Sequence, residues 1–198
     1  MKIRTFALLY LALFITAPAT TFAAGEKAGK TARDHNGNNP FSAGVSYFGE
    51  MITHPGFSVN LEYELHAKGS YQLILAGRTG WYVHIRNHKA IFLEPGLVNR
   101  LTAPSGFFAD ALLGIGYFLR SPDGIVYGLD DAGNVGAVGS TWHSRLSLGA
   151  YLGIGWDFGK KGTIPLSLFI RAGALGEYPY KGYLLPHAVL ESGIRIGM

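Results

Sequence analysis

The groups in this sequence most able to do chemistry are seven histidines, thirteen carboxylates and a set of arginines, with no cysteine beside them. Five of the histidines, His54, His84, His88, His143 and His187, fall near the ends of apolar segments, as do Glu50 and Glu177. Imidazoles and a carboxylate that converged on one point would suit a divalent transition ion. No pair among them shows a diagnostic ligand spacing, so they stand as rim candidates and no metal is assigned. A serine nucleophile fares no better. His143 is followed directly by Ser144, and neighbours along a strand point to opposite faces, which separates the hydroxyl from its base. No catalytic or cofactor-binding residue is assigned.

The remaining charges form a second set: Glu62, Glu64, Glu94, Asp110, Asp157 and Glu191 with Arg78, Arg100, Arg120, Arg145, Arg171 and Arg195. Arginine pairs bidentately with carboxylates and is never deprotonated, which makes it the cation suited to a narrow enclosed space. These residues are expected to form a polar network filling an interior, with a charged conduit as the alternative use of the same lining.

The elements that must position them are strands. From Ser42 onward, apolar side chains alternate with polar or small ones at period two. Strands are expected at 42–50, 56–67, 70–84, 89–101, 106–120, 142–158, 163–177 and 184–198. In the sixth, Trp142, Ser144, Leu146, Leu148, Ala150, Leu152, Ile154, Trp156 and Phe158 share one face, while His143, Arg145, Ser147, Gly149, Tyr151, Gly153, Gly155 and Asp157 share the other. In the second, Phe57, Val59, Leu61, Tyr63 and Leu65 oppose Ser58, Asn60, Glu62, Glu64 and His66. Glycines inside strands, such as Gly114, Gly116, Gly153 and Gly155, give curvature and close packing and are not nucleotide loops.

A soluble sandwich would show the same alternation, with the apolar face inward. Three features favour an inverted arrangement. The polar strips are rich in glycine and ion-pairable groups, as the small bore of eight strands requires. Links after the second, fourth and sixth strands look tight (AKGS, APSG, GKKG), and those after the first, third, fifth and seventh looser. Outward aromatics sort into two belts, Tyr47, Phe57, Trp81, Tyr117 and Trp142 at one end and Tyr63, Tyr71, Phe107, Trp156 and Phe158 at the other. Pro95 and Pro165 count against continuous ladders and are expected at bulges or strand ends. The fold class is all-β, an eight-stranded antiparallel up-and-down transmembrane β-barrel spanning 42–198.

Ahead of it, Lys2 and Arg4 precede an uncharged run from Phe6 to Ile15 and small residues ending near Ala23, the pattern of a signal peptide over 1–23. Residues 24–41 read as a flexible periplasmic leader. Past the signal, no apolar stretch is long enough for a membrane helix. The formal charge of +4 includes Lys2 and Arg4, so the remainder is close to neutral and no nucleic-acid partner is expected.

The signal, the eight segments and the link rhythm together resemble the small outer-membrane barrels typified by the OmpA transmembrane domain and OmpX, as a pattern over 42–198 and not as a signature motif. That family commonly ends its last strand in an aromatic residue, where this chain has Gly197 and Met198. The resemblance implies a monomer in a Gram-negative-type outer membrane with both termini periplasmic. It implies outer-membrane lipids, periplasmic chaperones and the barrel-insertion machinery as partners, with a surface partner for the loops. The expected function is an integral barrel with a plugged polar lumen, structural or engaged in surface interaction through its outer loops. One alternative is a lipid A-modifying enzyme like the barrel deacylases, a family marked by a His-x-Ser pair that this sequence lacks. The other is a narrow, porin-like solute- or metal-binding barrel.

Overall fold

The computed structural model describes residues 40–85, 87–124, 126–129, 133–138, 142–162, 164–180 and 182–198. The expected signal peptide and nearly all of the leader lie outside the described residues. Ten strands follow in chain order: β1 (Phe41–Glu50), β2 (His54–Lys68), β3 (Tyr71–His84), β4 (His88–Thr102), β5 (Phe107–Pro122), β6 (Val126–Leu129), β7 (Val135–Val138), β8 (His143–Asp157), β9 (Leu166–Tyr180) and β10 (Tyr183–Gly197). Eight of them close into an antiparallel barrel in the order β1-β10-β9-β8-β5-β4-β3-β2. β6 and β7 form a separate hairpin in the link between β5 and β8.

Closure is made by β1 against β10, in register from Ser42 opposite Gly197 to Glu50 opposite Val189. With that seam paired, no row of unsatisfied backbone groups is left at an edge, the condition for placing a sheet in hydrocarbon. Phe41 and Gly197 lie at one end, the terminus end, and the β6–β7 hairpin at the other, the hairpin end.

The alternation sorts as the inverted arrangement requires. Leu61, Leu93, Leu97, Leu101, Ile115, Leu152, Ile154 and Ile170 are exposed on the outside, while Arg78, Arg171, Glu94 and Glu191 are fully buried inside. Two aromatic belts flank the apolar band. Tyr47, Phe57 and Trp81 stand side by side across β1, β2 and β3 near the hairpin end. Phe107 opposes Trp156, and Phe41 opposes Tyr63, near the terminus end. Rings with an apolar body and a polar edge suit both margins of a bilayer.

The link rhythm departs from expectation. β1 runs to Glu50 before β2 begins at His54, β3 to His84 before β4 begins at His88, and β9 to Tyr180 before β10 begins at Tyr183. Three of the four links at the hairpin end are therefore tight, and only the one carrying β6 and β7 is long. The β8–β9 link, read as tight, instead holds a 3-10 turn at Phe158–Lys160. The strands run past the apolar band into polar sequence, where outward hydrophobicity no longer marks them. Pro95 sits opposite Gly77 of β3, and on its other side the ladder to β5 is interrupted between Leu93 and Gly96 without a register change. Pro165 falls just before β9. A register shift between Glu64 and His66 carries His66 to an exposed position, off the lumen face assigned to it.

Candidate functional site

Read inward from the hairpin end, the lumen-facing side chains repeat one order on six strands. β1 runs Glu50, Phe48, Ser46; β3 runs His84, Tyr82, Arg78; β4 runs His88, Phe92, Glu94; β5 runs Arg120, Phe118, Asp110; β9 runs Glu177, Leu175, Arg171; β10 runs His187, Val189, Glu191. The bore is thus a polar mouth, an apolar layer and an ionic interior, where a single polar network was expected. The apolar layer is tightly packed: Phe48, Tyr82, Phe92 and Phe118 are each 0% exposed. Phe48 lies 4.7 Å from Phe92 between ring centroids and 5.8 Å from Tyr82, and Tyr82 lies 6.2 Å from Phe118.

Below this layer the charges pair completely enough to remain buried. Arg78 bridges two carboxylates, donating from Nη1 to Glu94 at 2.8 Å and from Nη2 to Glu191 at 2.9 Å. Glu191 also accepts from the Ser46 and Ser58 hydroxyls at 2.5 and 2.8 Å. The Arg78 guanidinium sits 4.3 Å from the Tyr151 ring centroid, a cation–π contact. Nearer the terminus end, Glu62 and Asp110 are shared among Arg100, Arg171 and Arg195: Arg171 to Asp110 at 2.9 Å, Arg100 to Glu62 at 3.0 Å and to Asp110 at 3.1 Å, Arg195 to Glu62 at 2.6 Å. Phe108 and Phe169 lie beneath these guanidinium groups. Buried charges are tolerable only when matched this way, since each ion gives up several kcal/mol of hydration.

The remaining members of the expected network lie elsewhere. Glu64 accepts from Gln72 at 2.8 Å near the terminus end. Asp157 caps the 3-10 turn, accepting from the Gly159 N–H at 2.9 Å, and so does structural work at the strand end. Arg120 and Arg145 reach upward, to Glu177 at 3.6 and 3.4 Å, and belong to the mouth. A recess of about 550 Å³ opens at the terminus end and is floored by Glu62, Arg100 and Arg195.

The mouth gathers most of the rim candidates. Glu50 opposes His54, and His84 opposes His88. The β2–β3 register, continued two residues past Gly56 and Tyr82, sets His54 opposite His84. One residue from each of four neighbouring strands therefore occupies the same level on the same face. The His54 and His84 rings stack at 3.5 Å between centroids. Glu50 Oε2 is 2.5 Å from His54 Nδ1 and 3.6 Å from His84 Nδ1, and Glu50 Oε1 is 2.8 Å from His187 Nδ1. His187 Nε2 in turn lies 3.5 Å from Glu177. Glu50, His54 and His84 offer ligand atoms all within 4.8 Å of one another. His88 turns toward Tyr82, 3.4 Å from its hydroxyl. His143 is exposed on β8, opposite β2 in the strand order, and stands apart from the group. Ser144 faces outward and exposed, away from the inward face of its neighbour.

The link joining Glu50 to His54 is strained. Met51 and Ile52 adopt φ of 49° and 67°, a left-handed conformation that costs an L-residue about 1–2 kcal/mol and a β-branched one most of all. The Tyr47 hydroxyl donates to the Ile52 carbonyl at 3.1 Å and holds the turn. Ile52→Gly is expected to raise unfolding stability by about 1 kcal/mol, read from the urea midpoint in lipid vesicles. A lower midpoint would show the turn to be relaxed.

No family model matches this chain, and no curated protein matches it. Among solved structures, Neisserial surface protein A superposes with a TM-score of 0.51 at 10% identity, covering 80% of this chain and 96% of that one. Ail of Yersinia pestis gives 0.45 at 14% identity, with 79% and 94% covered. The outer membrane enzyme PagL gives 0.45 at 13% identity, with 79% and 99% covered. The closed eight-strand ring, the inverted polarity and the likeness to Neisserial surface protein A identify the fold as that of the small outer-membrane β-barrels.

Proposed function

We propose that this protein is a sealed outer-membrane barrel that presents its hairpin end at the cell surface, with a structural or surface-interaction role and no transport through the bore. The observation that carries the reading is the filled lumen: a layer of buried aromatics above a matched set of buried charges. Eight strands leave a bore that side chains can fill, and here they fill it. The hairpin end faces outward in this reading because it holds the one long link, and longer outer loops with short periplasmic turns are the rule for such barrels. Both strand termini then face the periplasm. The β5–β8 link, with its β6–β7 hairpin, is the surface most available to a partner, since binding loops on a rigid scaffold are the usual arrangement. Outer-membrane lipids would contact the apolar band, and periplasmic chaperones with the insertion machinery would deliver a monomeric chain.

Purified protein in a planar bilayer is expected to give no stable single-channel steps at 100 mV in 1 M KCl. Reproducible unitary conductance would overturn the sealed bore. An epitope inserted at Gly133 is expected to be reached by antibody on intact cells, and labelling only after the outer membrane is opened would reverse the orientation.

A further inference from the structure

We propose that Glu50, His54 and His84 form a binding site for a divalent first-row transition ion of the zinc type, with His187 holding Glu50 in place. The three candidate ligands come from the end of β1, the start of β2 and the end of β3, side by side on one face of the sheet. Their ligand atoms already lie within 4.8 Å of one another. An ion bound at 2.0–2.2 Å in tetrahedral geometry needs ligand atoms about 3.3 Å apart. Binding therefore opens the Glu50 Oε2–His54 Nδ1 contact from 2.5 Å while drawing in the wider separations, and the adjustment falls on the two rings nearest solvent, whose side chains are 17% and 29% exposed. They splay from their stack to aim their nitrogens at a common point.

The donor set selects the metal class. Two imidazoles and one carboxylate suit zinc, nickel, cobalt or copper, whereas calcium and magnesium take oxygen ligands throughout. Three protein ligands leave one position for water or an anion at the open side of the mouth.

Two further observations point to an ion and not to a hydrogen-bonded cluster alone. His84 Nδ1 is buried without a hydrogen-bond partner, although it lies 3.6 Å from the Glu50 carboxylate. A nitrogen buried and unpaired costs stability unless something satisfies it, and a cation between it and Glu50 does so. The carboxylate is also held from behind. Glu50 Oε1 faces His187 Nδ1 at 2.8 Å, and His187 Nε2 faces Glu177, which Arg120 and Arg145 flank. This fixes one oxygen and leaves Oε2 turned toward the two rings. Partners that orient a ligand carboxylate this way raise metal affinity by about 10–100-fold.

The inference does not rest on the sealed bore, since a site confined to the mouth is compatible with either outcome of the conductance measurement. It is tested by calorimetric titration of the full chain, without a histidine tag, in detergent with zinc chloride. One ion per chain is expected, with dissociation constant in the micromolar range or tighter. Cobalt should give the visible absorption of a four- or five-coordinate nitrogen and oxygen site. His54→Ala and His84→Ala should each weaken zinc at least about 30-fold, and His187→Ala about 10-fold. His143→Ala should leave it unchanged. His54→Gln and His84→Gln supply a second pair should an alanine variant not fold, with folding checked by resistance to SDS before heating. Absence of stoichiometric zinc binding to the wild-type chain would overturn the site. So would wild-type affinity in the folded His54 and His84 variants.

Discussion

Arg78→Ala is expected to destabilise the barrel by about 3–5 kcal/mol, because it leaves two carboxylates buried without their common cation. Glu94 and Glu191 flank the guanidinium at 2.8 and 2.9 Å, and all three side chains are 0% exposed. The apolar layer above them bars entry of water from the mouth, so the orphaned charges have few substitutes to draw on. Arg78→Lys should recover part of the loss. A single ammonium cannot offer the two separate N–H groups that the guanidinium divides between its partners. The measurement is urea unfolding in lipid vesicles, followed through Trp81, Trp142 and Trp156, which face outward and report exit from the bilayer. A cost below about 1 kcal/mol for the alanine variant would show that Glu94 and Glu191 do not depend on this arginine.

The second large effect is expected at a glycine. Gly114 of β5 and Gly149 of β8 stand opposite each other, and the trough they leave holds the Glu94 carboxylate. A Cβ at Gly149 would collide with Glu94 Oε2 and lie 2.6 Å from Tyr151 Cε2. Glu94 is not free to swing away, because its other oxygen is committed to Arg78. Gly149→Ala should therefore cost about 2–3 kcal/mol through overpacking, although alanine suits a strand better than glycine does. In a Glu94→Ala background the carboxylate clash is gone and only the Tyr151 contact remains, so the same substitution should cost less by about 1 kcal/mol. The double-mutant cycle then gives a coupling of about 1 kcal/mol. Additive effects would mean that the trough does not serve Glu94.

The strands were legible in the sequence because each side chain in the apolar band faces either hydrocarbon or a crowded bore, and a one-residue slip would exchange the two. That constraint ends where the strands leave the apolar band. His54 and Pro55 read as a link although β2 begins at His54, and the link after His84 was read as loose although β4 begins at His88. The mouth depended on these ends. Glu50 with His54, and His84 with His88, are four residues apart, a spacing without meaning in an open chain. Across a tight hairpin it makes the two residues direct neighbours. Such a spacing on each of two consecutive hairpins was the signal that could have located the group. The ionic pairings were less accessible still. Arg78 and Glu191 are 113 residues apart, and their meeting depends on register carried through the closing seam of the ring. Phe118 lies on the inward face of β5, but its place in an aromatic layer depends on Phe48, Tyr82 and Phe92 arriving at the same height from other strands.

That layer bears on the passage of water along the bore. Water moves along files of polar groups, and four closely packed, fully buried rings interrupt such a file. Thermal opening of the ionic interior at the terminus end would hydrate that half of the bore alone. Exclusion of solvent is thereby assigned to the aromatic rings, which leaves the charged half free to fluctuate.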